Sequence, residues 1–240
     1  MTYRRLDTDK IISTAKALDL RIAERFPDAG LRRVSAELVT LAQDTARESM
    51  ALEPPIWRLR LGLAVLLVAG AAVFTTIGTI VPLRELSQDA VGSVQSVEAV
   101  INTVLLAILG LLALTQMESR IKRRKVAQSL HGLRAMIHVI DMHQLNKDPA
   151  TLGPDYAPTA ASPRRNLTAI EMERYLDYCS EMLAITGKLA ALYAQAVADD
   201  GVAQAVNDIE TLGSNLSRKV WQKITLLHAQ TKPVPKKRHA

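Results

Sequence analysis

The sequence predicts an all-α membrane protein in which two transmembrane helices form a hairpin, joined to a cytoplasmic domain built from N- and C-terminal helices. Three observations favour this class. Two long runs carry no charged residue, Leu61 to Leu83 and Ala99 to Met117. Hydrophobic residues make up 48% of the 240 residues but aromatic residues only 4%, so helix formers such as Ala and Leu dominate. Outside the two runs, apolar residues recur at the three- and four-residue spacing of amphipathic helices.

Residues 1–56 are expected to form two amphipathic helices on the cytoplasmic side. Asp7 or Thr8 is suited to cap the first helix, and its apolar stripe is Ile11, Ala15, Leu18 and Ile22. The second stripe is Leu31, Val34, Leu38, Leu41 and Thr45. The stretch between the two contains Pro27 and Gly30, which favour a break. Charges occur throughout these residues, so we expect no secretory signal peptide here.

Both uncharged runs are long enough to cross a membrane. The first, within residues 57–83, has 23 residues and the second, residues 99–117, has 19, whereas about 20 apolar residues cross a hydrocarbon core of roughly 30 Å. Pro54 and Pro55 stop a helix arriving from the N-terminal side, and Trp57 occupies the place of an interfacial aromatic residue. A chain of this length could not surround two such runs in a soluble core.

The distribution of Lys and Arg predicts the orientation. Arg58 and Arg60 precede the first span, and a basic group follows the second: Arg120, Lys122, Arg123, Arg124 and Lys125. The connecting residues 84–98 contain one basic residue and three acidic ones. Both termini are therefore predicted to be cytoplasmic, in a cell inner membrane, with a short loop outside. The basic group is expected to face lipid headgroups or other anions.

Small residues recur along both spans, and such rows let helices approach closely in lipid. They could serve packing within the hairpin or contacts between copies in a homo-oligomer. Conduction would require several copies, because two helices cannot enclose water. The polar groups available to line such a pore are Thr75, Thr76, Thr79, Asn102 and Thr103.

The chain after the second span reads as three further helices. A stalk helix is predicted for residues 118–145, followed by a proline-containing loop, residues 146–166. Thr168 and Glu171 form a capping box at the start of an antiparallel helical hairpin, residues 167–229. Its first helix carries a coiled-coil-like seam: Met172, Leu176, Cys179, Leu183, Thr186, Ala190, Tyr193 and Val197. Cys179 lies in this seam and is interpreted as a core residue. Residues 230–240 form a basic tail suited to anionic lipid, with nucleic acid as the rival partner.

Four polar residues share one face of the stalk helix: His131, Arg134, His138 and Asp141. A seam that pairs with a neighbouring helix or subunit is the favoured interpretation, and a ligand or anion pocket is the second. A metal site is less favoured, because a stable site needs three or four ligands. The sequence contains no Walker A, GxGxxG, GxSxG or kinase-like motif. We therefore predict no enzymatic activity, no cofactor and no metal.

Two spans in a tight hairpin, roughly Arg58 to Lys125, followed by cytoplasmic helices, resemble the bacterial two-transmembrane effector proteins of the SLATT type. The segment Leu130 to Pro149 also resembles part of uncharacterised bacterial two-span proteins. The SLATT resemblance implies an oligomeric membrane effector that forms pores or disrupts the membrane in nucleotide-signalling, anti-phage defence. A nucleotide or oligonucleotide ligand is part of that implication. The resemblance is architectural and carries over no functional residues.

Two functions follow as hypotheses. One is an oligomeric channel or membrane-permeabilising effector. The other is a membrane-anchored scaffold or sensor that recruits a cytoplasmic protein partner on its helical surface. A membrane enzyme ranks third, because no catalytic set of residues supports it.

Overall fold

Helices are the only regular secondary structure in the part of the chain that the computed structural model describes, residues 4–80, 90–153, 156–162 and 167–231. The all-α prediction is thus confirmed for these residues. The α-helices are α1 Thr8–Arg25, α2 Gly30–Leu52, α3 Trp57–Ile80, α4 Ala90–Leu145, α5 Ala169–Ala196 and α6 Asp200–Thr231. A short 3₁₀ helix, Pro149–Leu152, follows α4.

The chain divides into two units. The first, called here the helical domain, comprises Met1–Glu53 and Lys125–Ala240. The second, called here the apolar unit, is Pro54–Arg124. Helix α3 belongs wholly to the apolar unit, whereas α4 contributes residues to both units.

The N-terminal helices begin and bury residues largely as the sequence predicts. The Asp7 side chain caps α1 by accepting hydrogen bonds from the backbone N–H groups of Asp9 and Lys10. All four positions of the predicted α1 stripe are buried. In α2, Ala42 is fully buried while Leu41 is only partly so. The buried face of α2 therefore departs by one residue from the predicted stripe.

Helix α5 is the centre of the helical domain and packs against α1, α2 and α6. The predicted capping box is present, with Thr168 accepting from the Glu171 backbone N–H and the Glu171 side chain accepting from that of Thr168. Every position of the predicted seam is buried. Cys179 is fully buried, and burial raises the pKa of its thiol to about 12, which fits a core residue.

Helix α4 begins earlier than predicted but ends where the predicted stalk ends. It begins at Ala90, so residues 90–98 of the predicted loop are helical, and it ends at Leu145 as predicted. Residues 81–89 lie outside the described part of the chain. The C-terminal portion of α4 buries an apolar stripe in the domain core: Val126, Leu130, Leu133, Ile137 and Ile140. This portion of the stalk is therefore a core element.

The predicted loop, residues 146–166, contains the 3₁₀ helix, whose N-terminus is capped by the Asp148 side chain. Residues 154–155 and 163–166 of that loop lie outside the described part, as do residues 232–240 of the predicted basic tail.

Candidate membrane segment and polar clusters

The apolar unit exposes large apolar side chains along both of its helices. On α3 the side chains of Leu61, Val65, Leu66 and Val68 are each more than 60% exposed. On α4 the exposed set is Ile101, Val104, Leu105, Leu106, Ile108, Leu109, Leu111 and Leu112. Soluble monomers rarely expose contiguous apolar surface on this scale. The unit therefore has the surface of a protein segment that meets lipid or another apolar partner.

Among the described residues, one helix is long and apolar enough to cross a membrane by length and composition. It is α4, over a stretch that begins at Ile101, and none of its most apolar window is buried. A buried helix of a soluble core would pass the same test of length and composition but would not be exposed. A second apolar stretch, Leu59–Val73 in α3, is shorter. These findings indicate membrane association through α4.

A cluster of polar groups joins the start of α3 to α4 within the apolar unit. The Glu118 carboxylate accepts a hydrogen bond from the Ile56 backbone N–H at 3.3 Å and lies 3.5 Å from Arg60 Nε and 3.2 Å from Lys122 Nζ. Lys122 Nζ also donates to the Pro54 carbonyl at 3.0 Å. Burial opposes ionisation, but the bonds from Lys122 and Ile56 prevail and lower the pKa of the Glu118 carboxyl. Glu118 therefore ties residues 54–60 to the turn of α4 that follows the apolar run.

One residue of the predicted basic group is largely covered and the other four are exposed. Lys122 is largely covered and pairs with Glu118, whereas Arg120, Arg123, Arg124 and Lys125 are exposed. Of the predicted pore-lining residues, Thr76, Asn102 and Thr103 are exposed, and the Thr76 hydroxyl donates to the Val73 carbonyl at 2.8 Å. Thr75 and Thr79 lie on α3, but their side chains are outside the described part. The lipid-facing and pore-lining roles stay predictions.

The predicted polar seam on the stalk is not a single cluster. His131, Arg134 and His138 are exposed, while Asp141 is half-buried and accepts a hydrogen bond from Gln144 Nε2 at 2.5 Å. No group of three or more His, Cys, Asp or Glu residues that could hold a metal ion occurs in the described part of the chain. Pairing of the exposed three with another helix or subunit stays a prediction.

Sequence reasoning missed the buried network to which Asp141 belongs. Gln144 is 2% exposed, and Lys223 Nζ of α6 donates both to its carbonyl, at 2.8 Å, and to its side-chain Oε1, at 2.7 Å. Burial is the largest influence on Lys223 and lowers the pKa of its ammonium. One signal was available: Gln144 continues the apolar spacing of Ile137 and Ile140, and a buried amide requires partners.

A groove of about 790 Å³ lies between the start of α1 and the middle of α5 in the helical domain. Its lining combines apolar side chains, such as Leu6, Ile11 and Ile185, with the charged Lys10 and Lys188. An ion pair between Arg21 and Glu181 and the 5.7 Å approach of the Arg21 guanidinium to the Tyr178 ring also join α1 to α5. The groove thus combines apolar and charged side chains from both helices.

Comparison of the chain with protein-family models, with curated proteins and with solved structures gave no match.

Proposed function

We propose that the chain is an oligomeric integral membrane effector that permeabilises the membrane through a hairpin of α3 and α4. The exposed apolar surface of the apolar unit carries this proposal. A charge-free surface of Leu, Val and Ile side chains is stable in hydrocarbon and costly in water.

Pairing of the two helices as a hairpin is supported by the Glu118 cluster. This cluster joins residues that precede the apolar part of α3 to residues that follow the apolar part of α4. The two apolar stretches then run in opposite directions from one level, as a two-span hairpin requires. Arg58, Arg60 and the basic group from Arg120 to Lys125 lie at that level, and the positive-inside rule assigns it to the cytoplasmic face.

Oligomerisation follows from the number of spans. A hairpin of two helices has lipid on most of its surface and cannot enclose water, so permeabilisation requires several copies around an axis. The exposed polar side chains of Thr76, Asn102 and Thr103 are suited to a weakly polar lining, which favours low ion selectivity or a hydrophobic gate. The resemblance to SLATT-type effectors extends the proposal to bacterial defence signalling.

Topology is tested by labelling single cysteines in intact cells with a membrane-impermeant maleimide. Ser93→Cys, in the predicted outer segment, should be labelled, and Ser13→Cys, on α1, should be labelled only after the cells are permeabilised. Native Cys179 is a suitable background because its side chain is fully buried. Labelling of Ser13→Cys with protection of Ser93→Cys would overturn the orientation.

Permeabilisation is tested by the mass of the purified protein in mild detergent and by recording from planar bilayers. We expect a defined multimer and currents of low ion selectivity, and depolarisation of cells that overproduce the chain. A monomer that gives no current would overturn the effector proposal.

The groove between α1 and α5 favours a second function, a membrane-anchored scaffold or sensor that binds a cytoplasmic protein partner. A mixed apolar and charged groove of this size is a common form of binding site. This alternative predicts that Lys10→Glu, at an exposed position of the groove, abolishes partner capture in cells without changing membrane insertion or conductance. The effector proposal predicts activity in bilayers that contain no other protein.

A further inference from the structure

Helix α6 carries a row of exposed residues on one side. Glu210, Ser214 and Arg218 lie four residues apart and are all exposed, so they share one face of the helix. Trp221 lies on the same face, seven residues after Ser214, and is 54% exposed. These four residues, called here the α6 row, belong to the helical domain and do not line the groove between α1 and α5. The α6 row is therefore a surface to which no role has yet been assigned.

A depression of about 570 Å³ lies along the α6 row, where α6 meets α5. All four residues of the row line it, together with small residues of both helices: Gly187, Gly213 and Ser217. A Cβ atom added at Gly187 would lie 3.9 Å from Glu210 Cγ, so the Glu210 side chain lies close to α5. Lys188 also lines the depression, and its ammonium donates to the Ala184 carbonyl of its own helix at 3.3 Å. Small residues let another helix approach closely, because the distance between helix axes depends on the side chains at the contact.

The α6 row has opposite charges at equal distances from Ser214. Glu210 precedes Ser214 by four residues, and Arg218 follows it by four. Neither charged side chain forms an ion pair within the described part of the chain. If two copies of α6 cross antiparallel at Ser214, Glu210 of each copy faces Arg218 of the other. The row is therefore self-complementary, as a contact around a two-fold axis requires.

The same arrangement gives Trp221 a partner. Around a two-fold axis at Ser214, position 221 of one copy meets position 207 of the other, where Asn207 is exposed. The indole N–H can donate to an amide oxygen there, and the ring loses its contact with water. Tryptophan and arginine are the residues most enriched at the energetic centres of protein contacts. The exposed Trp221 thus favours the same contact as the two charges.

We propose that the α6 row is a contact between two copies of this chain, which associate antiparallel about a two-fold axis at Ser214. One helix face is smaller than the interface of a stable dimer in solution. Copies attached to one membrane are confined together, which raises their effective concentration, so a small contact is sufficient. The contact therefore rests on the membrane attachment of the proposed function and names one surface through which copies meet. It does not require that the chain conduct ions.

The contact is tested by oxidative cross-linking of single cysteines in isolated membranes that contain the full-length protein. Helix axes about 8–10 Å apart bring the two Cα atoms of position 214 within the range of a disulfide, about 4.4–6.8 Å. Ser214→Cys should therefore form a disulfide-linked dimer. Asn215→Cys is the matched control, because position 215 is exposed but faces another direction, and it should remain monomeric. Native Cys179 is fully buried and should not react.

Fractionation of the same membranes separates this proposal from the proposed function. A chain that is absent from the membrane would overturn the membrane function and, with it, the contact. A chain in the membrane that forms no Ser214→Cys dimer, or that cross-links equally through Asn215→Cys, would overturn only the contact. A cross-linked product whose mass is not twice that of the chain would mean that another protein covers the α6 row, and it would overturn the proposal that a second copy does.

Exchange of the two charges tests the pairing itself. Glu210→Arg and Arg218→Glu, each added to Ser214→Cys, place like charges opposite each other and should reduce the dimer about tenfold. A chain with both changes should form the dimer again. The two single variants produced together should also do so, because a chain with two arginines then faces a chain with two glutamates. Both positions are exposed, so circular dichroism should show an unchanged fold. If neither combination restores the dimer, Glu210 and Arg218 do not pair and the proposed contact is wrong.

Discussion

Helix α4 carries the same kind of side chain in two opposite environments. Leu133, in the helical domain, is fully buried, whereas Leu106, in the apolar unit, is 68% exposed. In the helical domain apolar residues recur at helical spacing and face a common core, with charged residues on the other faces. In the apolar unit they surround the helix. The contrast shows that the helical domain covers its leucines in a core of its own, whereas the apolar unit exposes the side chains that the proposed function places in hydrocarbon.

The polar residues of the two units are also arranged differently. The helical domain has charges over its surface, and hydrogen bonds between side chains join its helices. Glu48, for example, accepts from Ser129 Oγ at 2.6 Å and from Tyr193 Oη at 2.7 Å. In the described part of the apolar unit, Glu118 pairs with Arg60 and with Lys122 just beyond the apolar run. Charges confined to the end of an apolar helix are typical of a membrane boundary.

The largest expected difference between the units is the cost of removing a leucine side chain. Leu133→Ala should destabilise the helical domain by about 2–5 kcal/mol, because it leaves a cavity in a packed core. Leu106→Ala should change the free energy of unfolding of that domain by less than about 0.5 kcal/mol. Denaturant unfolding in mild detergent, followed by circular dichroism, measures both. Equal losses would mean that the exposed leucines of α4 are covered by protein.

Insertion into a membrane gives the next largest contrast. Leu106→Arg places a charge in the apolar run and should oppose insertion by about 2.5–3.5 kcal/mol. Leu226→Arg, at an exposed position of α6 in the helical domain, is the matched control and should have no effect. Fractionation of membranes after alkaline extraction measures the inserted share. If Leu106→Arg remains fully in the membrane fraction, α4 does not span the bilayer where the sequence predicts.

Local signals in the sequence were sufficient for much of the helical domain. Asp7 and the pair Thr168 and Glu171 identify helix starts because each cap is formed by residues within three or four positions. The end of α4 at Leu145 is likewise followed by local break signals at Asn146 and Asp148-Pro149. The start of α4 at Ala90 could not be predicted in this way, because Glu98 ends the uncharged run and the charges of residues 84–98 favour a loop.

Contacts between distant residues were beyond the reach of the sequence. The approach of His143 to Gly30 and Tyr175 joins three different helices, and no spacing rule relates them. The same holds for Lys223 and Gln144. For the polar face of α4, periodicity predicts that four residues share the face but not which of them is partly covered. The one partly covered residue, Asp141, is the one with a partner in the buried network.

A smaller effect is expected when that network is broken. Asp141→Ala removes the acceptor of the buried Gln144 amide and should lower the stability of the helical domain by about 1 kcal/mol. His138→Ala, one turn earlier at an exposed position, should have no measurable effect. Denaturant unfolding again provides the comparison. Stoichiometric zinc or iron in the purified protein, lost on Asp141→Ala, would instead favour a metal site.

The smallest expected effect concerns His143, a half-buried side chain of the helical domain that lies close to other basic groups. Burial, Lys147 and Arg33 lower the pKa of His143 below its usual value of 6.5. Between that folded-state pKa and 6.5 the unfolded chain binds more protons than the folded one, so acidification favours unfolding. The contribution of His143 to stability is therefore complete above about pH 6.5 and declines as the pH falls toward the folded-state pKa.

His143→Gln should reduce the loss of stability between about pH 7 and pH 5, and His138→Gln, at an exposed position, should not. Parallel curves of stability against pH for the wild type and His143→Gln would show that the surroundings of His143 do not oppose its protonation in the folded domain.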